Sequence, residues 1–129
     1  NSMRNTFATT ISCMDGRIQK CVNDHVSSQS NSKFVDTITL AGPSKVISEN
    51  KLNRVIDDMK FRLDISVNVH ESQYIAIVGH YDCAGVIEDD ETQKKYILDS
   101  CKIIKRWYPN LVVEALWVNE LFEVEVMKF

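Results

Sequence analysis

The hydrophobic and polar positions of the chain follow two periods, one typical of strands and one typical of helices. Short apolar or alternating segments predict five strands, at Phe7–Ser12, Phe34–Leu40, Tyr74–Gly79, Leu111–Val118 and Leu121–Phe129. The third is a continuous apolar run, which is typical of a parallel strand buried on both faces. The last follows the short Asn119-Glu120 link, which predicts an antiparallel hairpin with the final strand at an edge.

Helical spacing predicts two helices between these strands. One runs from about Ser44 to His70, where the apolar positions recur every three or four residues at Leu52, Val55, Ile56, Met59 and Leu63. The other begins at the acidic run 89–91 and ends before Pro109, and its apolar stripe includes Cys101. The polar stretch Asn23–Lys33 is expected to be irregular or weakly helical.

Strands that alternate with helices predict an α/β fold. We expect a mostly parallel central sheet of four strands, an antiparallel C-terminal edge strand and helices on both faces. A length of 129 residues predicts one domain over residues 1–129. Asn1 and Ser2 precede Met3, and we expect them to be the remnant of an expression tag.

Two short motifs carry the candidate chemistry, and each follows a predicted strand. The first, C-x-D-x-R, supplies Cys13, Asp15 and Arg17, and the second, H-x-x-C, supplies His80 and Cys83. Extended backbone would point residues 13, 15 and 17 to one face, and a spacing of three would place 80 and 83 one helical turn apart. Because ligand sites of open α/β sheets lie beyond the carboxyl ends of strands, both motifs are expected to meet there.

Two thiols and one imidazole are a ligand set that suits Zn²⁺, with a fourth position left for Asp15 or for water. An open fourth position is typical of catalytic zinc rather than structural zinc. Arg17 is expected to hold the Asp15 carboxylate in two parallel hydrogen bonds. The alternative is that both cysteines are small buried hydrophobic residues, that His80 is a loop histidine, and that Asp15 and Arg17 form a surface ion pair.

The composition narrows the classes of partner and compartment. A formal net charge of −3 argues against a nucleic-acid-binding surface or an anionic-membrane surface. No apolar run approaches the ~20 residues that span a bilayer, and no secretory signal is evident. Four cysteines in a chain without a loop-rich composition are better explained by metal binding and core packing than by disulfides. We therefore expect a cytoplasmic protein.

The two motifs, the stretch from Gly79 to Gly85 and the Ala41-Gly42 turn resemble those of the β-class carbonic anhydrases. The resemblance implies zinc held by Cys13, His80 and Cys83, and a catalytic dyad of Asp15 and Arg17. It also implies a lyase that hydrates CO₂ reversibly to bicarbonate through a zinc-bound hydroxide, working as a homodimer or a higher homo-oligomer. In a closed state, Asp15 would take the fourth zinc position.

The chain departs from the family pattern at several points. Few residues precede the first strand, where relatives usually carry an N-terminal helical arm. Thr39 stands where relatives often have arginine, and Gly16 where serine is common. Three alternatives therefore stay open: a zinc-binding relative with weak or no CO₂ activity, a hydrolase of CS₂ or COS, and a small zinc-stabilised interaction domain. Of the other polar residues, we expect Asp82 only to cap a turn, and His25 to be solvated.

Overall fold

A five-stranded sheet forms the centre of the computed structural model, which describes residues 6–51 and 53–129. The strands are β1 (Phe7–Cys13), β2 (Phe34–Leu40), β3 (Tyr74–His80), β4 (Val112–Val118) and β5 (Val124–Met127). The helices are α1 (Gln19–Ser30), α2 (Pro43–Glu49), α3 (Asn53–Asp64) and α4 (Asp90–Trp107), and a π-helical turn, Ile65–Val69, continues α3.

The strand order is β2-β1-β3-β4-β5, and the first four strands are parallel. β5 runs antiparallel to β4 at the edge, so the predicted sheet and fold class are confirmed. The chain leaves β1 for β2 on one side and later returns to β3 on the other side of β1. The carboxyl ends of β1 and β3 therefore flank the point where the direction of strand addition reverses, which is where such folds bind ligands.

Apolar side chains cover both faces of this sheet. On one face, Val22 and Val26 of α1 are buried with Ala76 and Val78 of β3. On the other face, the cores of α2, α3 and α4 pack on the sheet through buried residues that include Ile47, Met59, Leu63, Ile97 and Ile104. Every residue of β3 is buried, as its continuous apolar run predicts. Burial on both faces fixes the end of β3 firmly.

The long helix predicted from Ser44 to His70 is wrong as a single element. α2 ends at Glu49, the following Asn50 is left-handed with a φ of 51°, and a separate helix follows. Asparagine tolerates this conformation better than most residues and commonly ends helices in this way. Val55, Ile56, Met59 and Leu63 of the predicted stripe lie in α3, whereas Leu52 lies outside the described residues. The tag-remnant prediction for Asn1 and Ser2 also falls outside them.

Most of the polar segment expected to be irregular or weakly helical, up to Ser30, lies in a full helix, α1. Two valines, Val22 and Val26, are one turn apart and buried, so packing on the sheet outweighs the weak local propensity. His25 is half-buried on this helix rather than solvated, and its Nε2 has no hydrogen-bond partner. The helix ends at Asn31, which is again left-handed.

The C-terminal strand is shorter than predicted. Its hairpin turn extends through Glu123, because the Asn119 side chain accepts hydrogen bonds from the backbone N–H groups of Leu121 and Glu123. Phe122 has a φ of 58° in this turn, so it is not a strand residue. Within the described residues, no helix has the length and apolar character that crossing a membrane requires.

Candidate metal centre

Three side chains from the two motifs meet where β1 and β3 end. The ligand-type atoms of Cys13, His80 and Cys83, hereafter the ligand cluster, all lie within 4.8 Å of one another. All three residues are buried. No other group of three or more such side chains occurs in the described part of the chain. The sequence-predicted residues of both motifs are thus brought together, and the group could hold a metal ion.

The backbone conformation of both motifs differs from the one predicted from the sequence. After Cys13 the chain does not stay extended but turns, and the Arg17 N–H donates to Asp15 Oδ1 at 2.9 Å. The second motif closes through a tight turn rather than a helical turn, because Asp82 is left-handed with φ of 59°. In both motifs, a tight turn shortens the path between the functional side chains.

Two glycines allow the loops that carry the cysteines to approach each other. A Cβ added to Gly85 would lie 2.5 Å from the Ala41 carbonyl carbon and 2.6 Å from the Gly42 nitrogen. Gly42 itself has a φ of 64°, which is costly for a residue with a side chain. The Ala-Gly turn after β2 therefore supports the loop that carries Cys83. A Cβ at Gly16 would meet open space, so the family's serine would fit there.

The sulfur spacing fits a single tetrahedral ion. The Sγ atoms of Cys13 and Cys83 are 3.8 Å apart, and neither cysteine forms a disulfide. Two sulfurs bound at ~2.3 Å to one ion with tetrahedral angles would be ~3.8 Å apart. The apparent hydrogen-bonded pair of thiols thus has the dimensions of two ligands of one zinc-sized ion.

The imidazole of His80 is oriented as a ligand. Its Nδ1 lies 2.8 Å from the Tyr81 carbonyl oxygen, which can only accept, so Nδ1 carries the proton. The other ring nitrogen, Nε2, is buried and has no hydrogen-bond partner. A lone pair left without a partner inside a protein is costly unless a ligand takes it. Metal-bound histidines commonly bind the ion through one ring nitrogen while the N–H of the other ring nitrogen donates to a backbone carbonyl, as Nδ1 of His80 does here.

The two thiols differ in their readiness to ionise. Hydrogen bonding from Cys83 lowers the pKa of Cys13 against the raising effect of burial, and contact with His80 lowers it further. The same contact with Cys13, together with burial, raises the pKa of Cys83. Ionisation of one of the two thiols therefore opposes ionisation of the other. For His80, burial favours the neutral ring, but Cys13 and the Tyr81 carbonyl together raise its pKa.

Asp15 lies beside the ligand cluster but is not part of it. Both of its carboxylate oxygens accept hydrogen bonds from Arg17, at 3.0 Å from Nε to Oδ1 and 2.7 Å from Nη2 to Oδ2. These bonds lower the pKa of Asp15 to about 2. The carboxylate is therefore held by Arg17, and Asp15 does not belong to the group of side chains that could hold a metal ion.

Asp82 has a part that the sequence analysis missed. Its Oδ2 accepts from Arg17 Nη1 at 3.3 Å, and its carbonyl oxygen accepts from Arg17 Nη2 at 3.1 Å. Arg17 therefore joins the first motif to the second. A cleft of about 450 Å³ opens on this side, between the turn that carries Tyr81 to Cys83 and the start of α4.

A second polar cluster lies outside the ligand cluster. This cluster, hereafter the Asp36 network, consists of Thr9 of β1, Asp36 of β2, Ser66, His70 and Ser72. Asp36 Oδ2 contacts Ser66 Oγ at 2.7 Å and His70 Nδ1 at 2.6 Å. Buried hydroxyls extend this network inward, from Ser66 to Thr9 at 2.6 Å and from Thr9 to Ser72 at 2.7 Å. Single polar residues scattered over four segments offer no spacing signal, so the sequence analysis did not find it.

The comparisons with known proteins identify the family. A family model described as "Putative carbonic anhydrase" matches residues 3–128, nearly the whole chain. The class defined by this fold and site is therefore a carbonic-anhydrase-like α/β protein. The chain belongs to this carbonic anhydrase family. A sequence search of curated proteins finds no match.

Several solved β-carbonic anhydrases share the fold at low sequence identity. One from Sordaria macrospora, described as tetrameric, matches with a TM-score of 0.69 at 9% identity, covering 97% of this chain and 82% of that one. The carbonic anhydrase of Streptococcus mutans gives 0.66 at 15% identity, with coverages of 98% and 82%. The Aspergillus fumigatus enzyme CafD gives 0.65 at 11%, with coverages of 95% and 90%. These likenesses establish the fold.

Proposed function

We propose that this protein is a zinc-dependent carbonic anhydrase that hydrates CO₂ reversibly to bicarbonate. The observation that carries the proposal is the ligand cluster, with a sulfur spacing of 3.8 Å and a buried His80 Nε2 that lacks a partner. Membership of a carbonic anhydrase family and the shared fold support the same reaction. Cys13, His80 and Cys83 are the proposed zinc ligands.

Bound zinc would supply a water molecule whose pKa is lowered toward neutrality and whose conjugate base attacks carbon. Two thiolates and a neutral imidazole balance the charge of a divalent ion, and all three residues are buried. The Tyr81 carbonyl keeps the imidazole in the tautomer that leaves Nε2 free. The residues present therefore fit zinc.

Asp15 is the proposed hydrogen-bond acceptor that orients the attacking oxygen. Its carboxylate is ionised near neutral pH even at the ordinary pKa of 3.8, and Arg17 lowers that pKa to about 2, so Asp15 can accept a hydrogen bond across the working pH range. Arg17 holds this carboxylate through both oxygens, and these bonds would keep it off a bound metal. Asp15 and Arg17 are thus the proposed catalytic pair, with Asp15 able to become a fourth ligand only if the Arg17 contacts break.

We also propose that the protein is a cytoplasmic homodimer or a higher homo-oligomer. Exposed apolar side chains on the last hairpin and C-terminus, among them Leu121, Phe122 and Val126, favour association with a second copy. The Sordaria macrospora relatives are described as tetrameric. A reducing compartment would keep the proposed ligand thiols available. Light scattering of the purified chain would measure its mass in solution.

The decisive experiment is a stopped-flow CO₂ hydration assay combined with elemental analysis. We expect about one zinc per chain and hydration far above the buffer rate. Removing zinc with a chelator should abolish the rate while circular dichroism still reports a folded protein, since both faces of the sheet have apolar cores. Adding zinc back should restore it.

Each alternative predicts a different result in the same assay. A zinc-loaded chain without CO₂ activity would contradict the proposal and favour a zinc-binding relative that is not a carbonic anhydrase. Turnover of COS or CS₂ without CO₂ hydration would instead indicate a hydrolase of those substrates. Unfolding on zinc removal would favour a zinc-stabilised interaction domain.

A further inference from the structure

The most unusual contact outside the ligand cluster is a pair of hydrogen bonds between one buried side chain and one backbone residue. The His80 N–H donates to Gln93 Oε1 at 3.1 Å, and Gln93 Nε2 donates to the His80 carbonyl oxygen at 2.9 Å. Gln93 is 2% exposed. The glutamine amide thus supplies both the acceptor and the donor that a neighbouring strand would otherwise offer to His80.

The sheet leaves His80 in need of such a partner. Pairing between β1 and β3 ends at Ile11 and Ile77, three residues before His80. On the other side, the Tyr81 N–H donates to the Val118 carbonyl oxygen of β4. Because the peptide groups of a parallel strand alternate between its two edges, those of His80 point toward the edge that β1 has left. Gln93 takes the place of β1 there.

Gln93 is itself held in place from two directions. Its backbone N–H donates to the Asp89 carbonyl oxygen at 3.0 Å, within a first turn of α4 that Asp89 caps. Gly79 lets this turn approach β3 closely, because a Cβ there would lie 2.9 Å from Gln93 Oε1 and 2.5 Å from Ile97 Cδ1. The amide therefore meets His80 from a rigid helix start.

We propose that Gln93 is a positioning residue for the metal centre, which it serves by fixing the His80 backbone so that Nε2 faces the two sulfurs. This inference rests on the proposed function, since it requires metal at the ligand cluster. A purely structural role would instead satisfy the buried peptide groups of His80 with no consequence for metal binding. The two roles differ in whether metal affinity and ligand geometry change when the amide is removed.

The test compares Gln93→Met with Ser100→Ala in the full chain. Methionine keeps the length and burial of the side chain but loses both hydrogen bonds. Ser100 is a matched control, because it is fully buried on the same helix and bonds the Ser44 carbonyl oxygen rather than His80. Zinc affinity is measured by competition with a chromogenic chelator, and ligand geometry by the absorption spectrum of the Co²⁺-substituted protein.

We expect Gln93→Met to weaken zinc binding by ~10- to 100-fold, the usual effect of removing a group that orients a metal ligand. The ligand-field bands of the Co²⁺ form should also change. Ser100→Ala should keep the wild-type affinity and spectrum even if its unfolding midpoint falls. Wild-type zinc affinity and an unchanged Co²⁺ spectrum in Gln93→Met would overturn the inference.

Metal binding by the wild-type protein distinguishes failure of the positioning role of Gln93 from failure of the proposed function. If the unaltered protein binds neither Zn²⁺ nor Co²⁺, the proposed metal centre is wrong and the inference falls with it. If the unaltered protein binds both ions and the Gln93 variant binds them equally, only the positioning role is wrong. CO₂ hydration is not needed for either decision.

A second variant and a measurement on the wild type cover the case in which methionine prevents folding. Gln93→Asn keeps an amide that is one methylene too short for His80, and it should lose zinc affinity similarly. Because coupling between two sites is reciprocal, zinc binding should in turn slow hydrogen exchange of the Gln93 side-chain amide, as followed by NMR. Exchange that zinc leaves unchanged, in a chain that binds zinc, would overturn the inference without any variant.

Discussion

The ligand cluster and the Asp36 network are both buried polar groups on β1 and its neighbours, yet they differ in how their atoms are paired. In the Asp36 network, each buried hydroxyl of Thr9, Ser66 and Ser72 has a hydrogen-bond partner. In the ligand cluster, His80 Nε2 has none, and Cys83 beside Cys13 resists ionisation. Internal pairing completes the first group, whereas the second keeps a buried acceptor that no protein group satisfies.

The comparison shows how chemistry can be inferred from a buried cluster without a bound ligand. Polar side chains that satisfy one another stabilise a fold and need nothing further. A cluster that leaves a buried acceptor such as His80 Nε2 without a partner instead favours binding of a further group. The Asp36 network should therefore respond to mutation through stability, and the ligand cluster through metal content and activity.

The largest expected effect comes from Cys83→Ser. Serine removes a thiolate ligand, so zinc per chain should fall from about one to near zero in elemental analysis. Cys21→Ser is the matched control, because Cys21 lies half-buried on α1 outside the ligand cluster. Full zinc content in Cys83→Ser would remove this residue from the ligand set and weaken the contrast between the two clusters.

The next effect is loss of activity without loss of metal. Asp15→Asn keeps the shape of the side chain but removes the anionic acceptor, so CO₂ hydration should fall by ~10²- to 10⁴-fold. Zinc per chain should stay as in the wild type, since Asp15 is not part of the ligand cluster. Asp24→Asn, an exposed change on α1, serves as the control. Wild-type rates in Asp15→Asn would end its catalytic assignment.

A smaller effect is expected in the Asp36 network. Ser66→Ala removes the hydroxyl that joins Asp36 to Thr9, so the free energy of unfolding in urea should fall by ~1–3 kcal/mol. Zinc content and CO₂ hydration should not change. Ser28→Ala, on the exposed side of α1, should cost less than ~0.5 kcal/mol. Loss of zinc in Ser66→Ala would show that the two clusters are coupled.

The smallest effect concerns the titration of Asp15 in metal-free protein. Arg17 lowers its pKa to about 2 from an ordinary value of 3.8, so Arg17→Gln should move the midpoint up toward 3.8 in a ¹³C NMR titration. Since the pKa is lowered by folding, the stabilisation is fully present above about pH 4 and is lost as the pH falls through about 2. A midpoint that stays near 2 in Arg17→Gln would assign the shift to the backbone N–H of residue 17 or to another group rather than to the guanidinium.

The strands of the sheet were predicted well because buried strands have a simple pattern of hydrophobic residues in the sequence. The continuous apolar run of β3 and the alternation of β2 come from side chains that face a core, and both strands lie where predicted. The ends of helices and turns were predicted less well. Asn50 divides the long predicted helix, and Asn119 lengthens the last hairpin turn, through single side-chain and backbone preferences that hydrophobic periodicity does not register.

The residues of the candidate site also differ in whether the sequence predicted them. Cys13 and His80 were predicted to meet because parallel strands bring their carboxyl ends to one edge. Gln93 was missed, although it stands four residues before Ile97 on the apolar stripe of α4, and a polar residue on such a stripe is itself a signal. Asp82 gave no signal, because its contact with Arg17 depends on a left-handed turn.

The sequence by itself determined the order and type of most elements and the residues that would end β1 and β3, because these follow from local periodicity and residue chemistry. Only the tertiary structure decided the 3.8 Å between the two sulfurs, the tautomer of His80 and the pairing of its backbone with Gln93. Those properties depend on atoms far apart in the chain. Their positions are set by the packing of both faces of the sheet, which no short motif encodes.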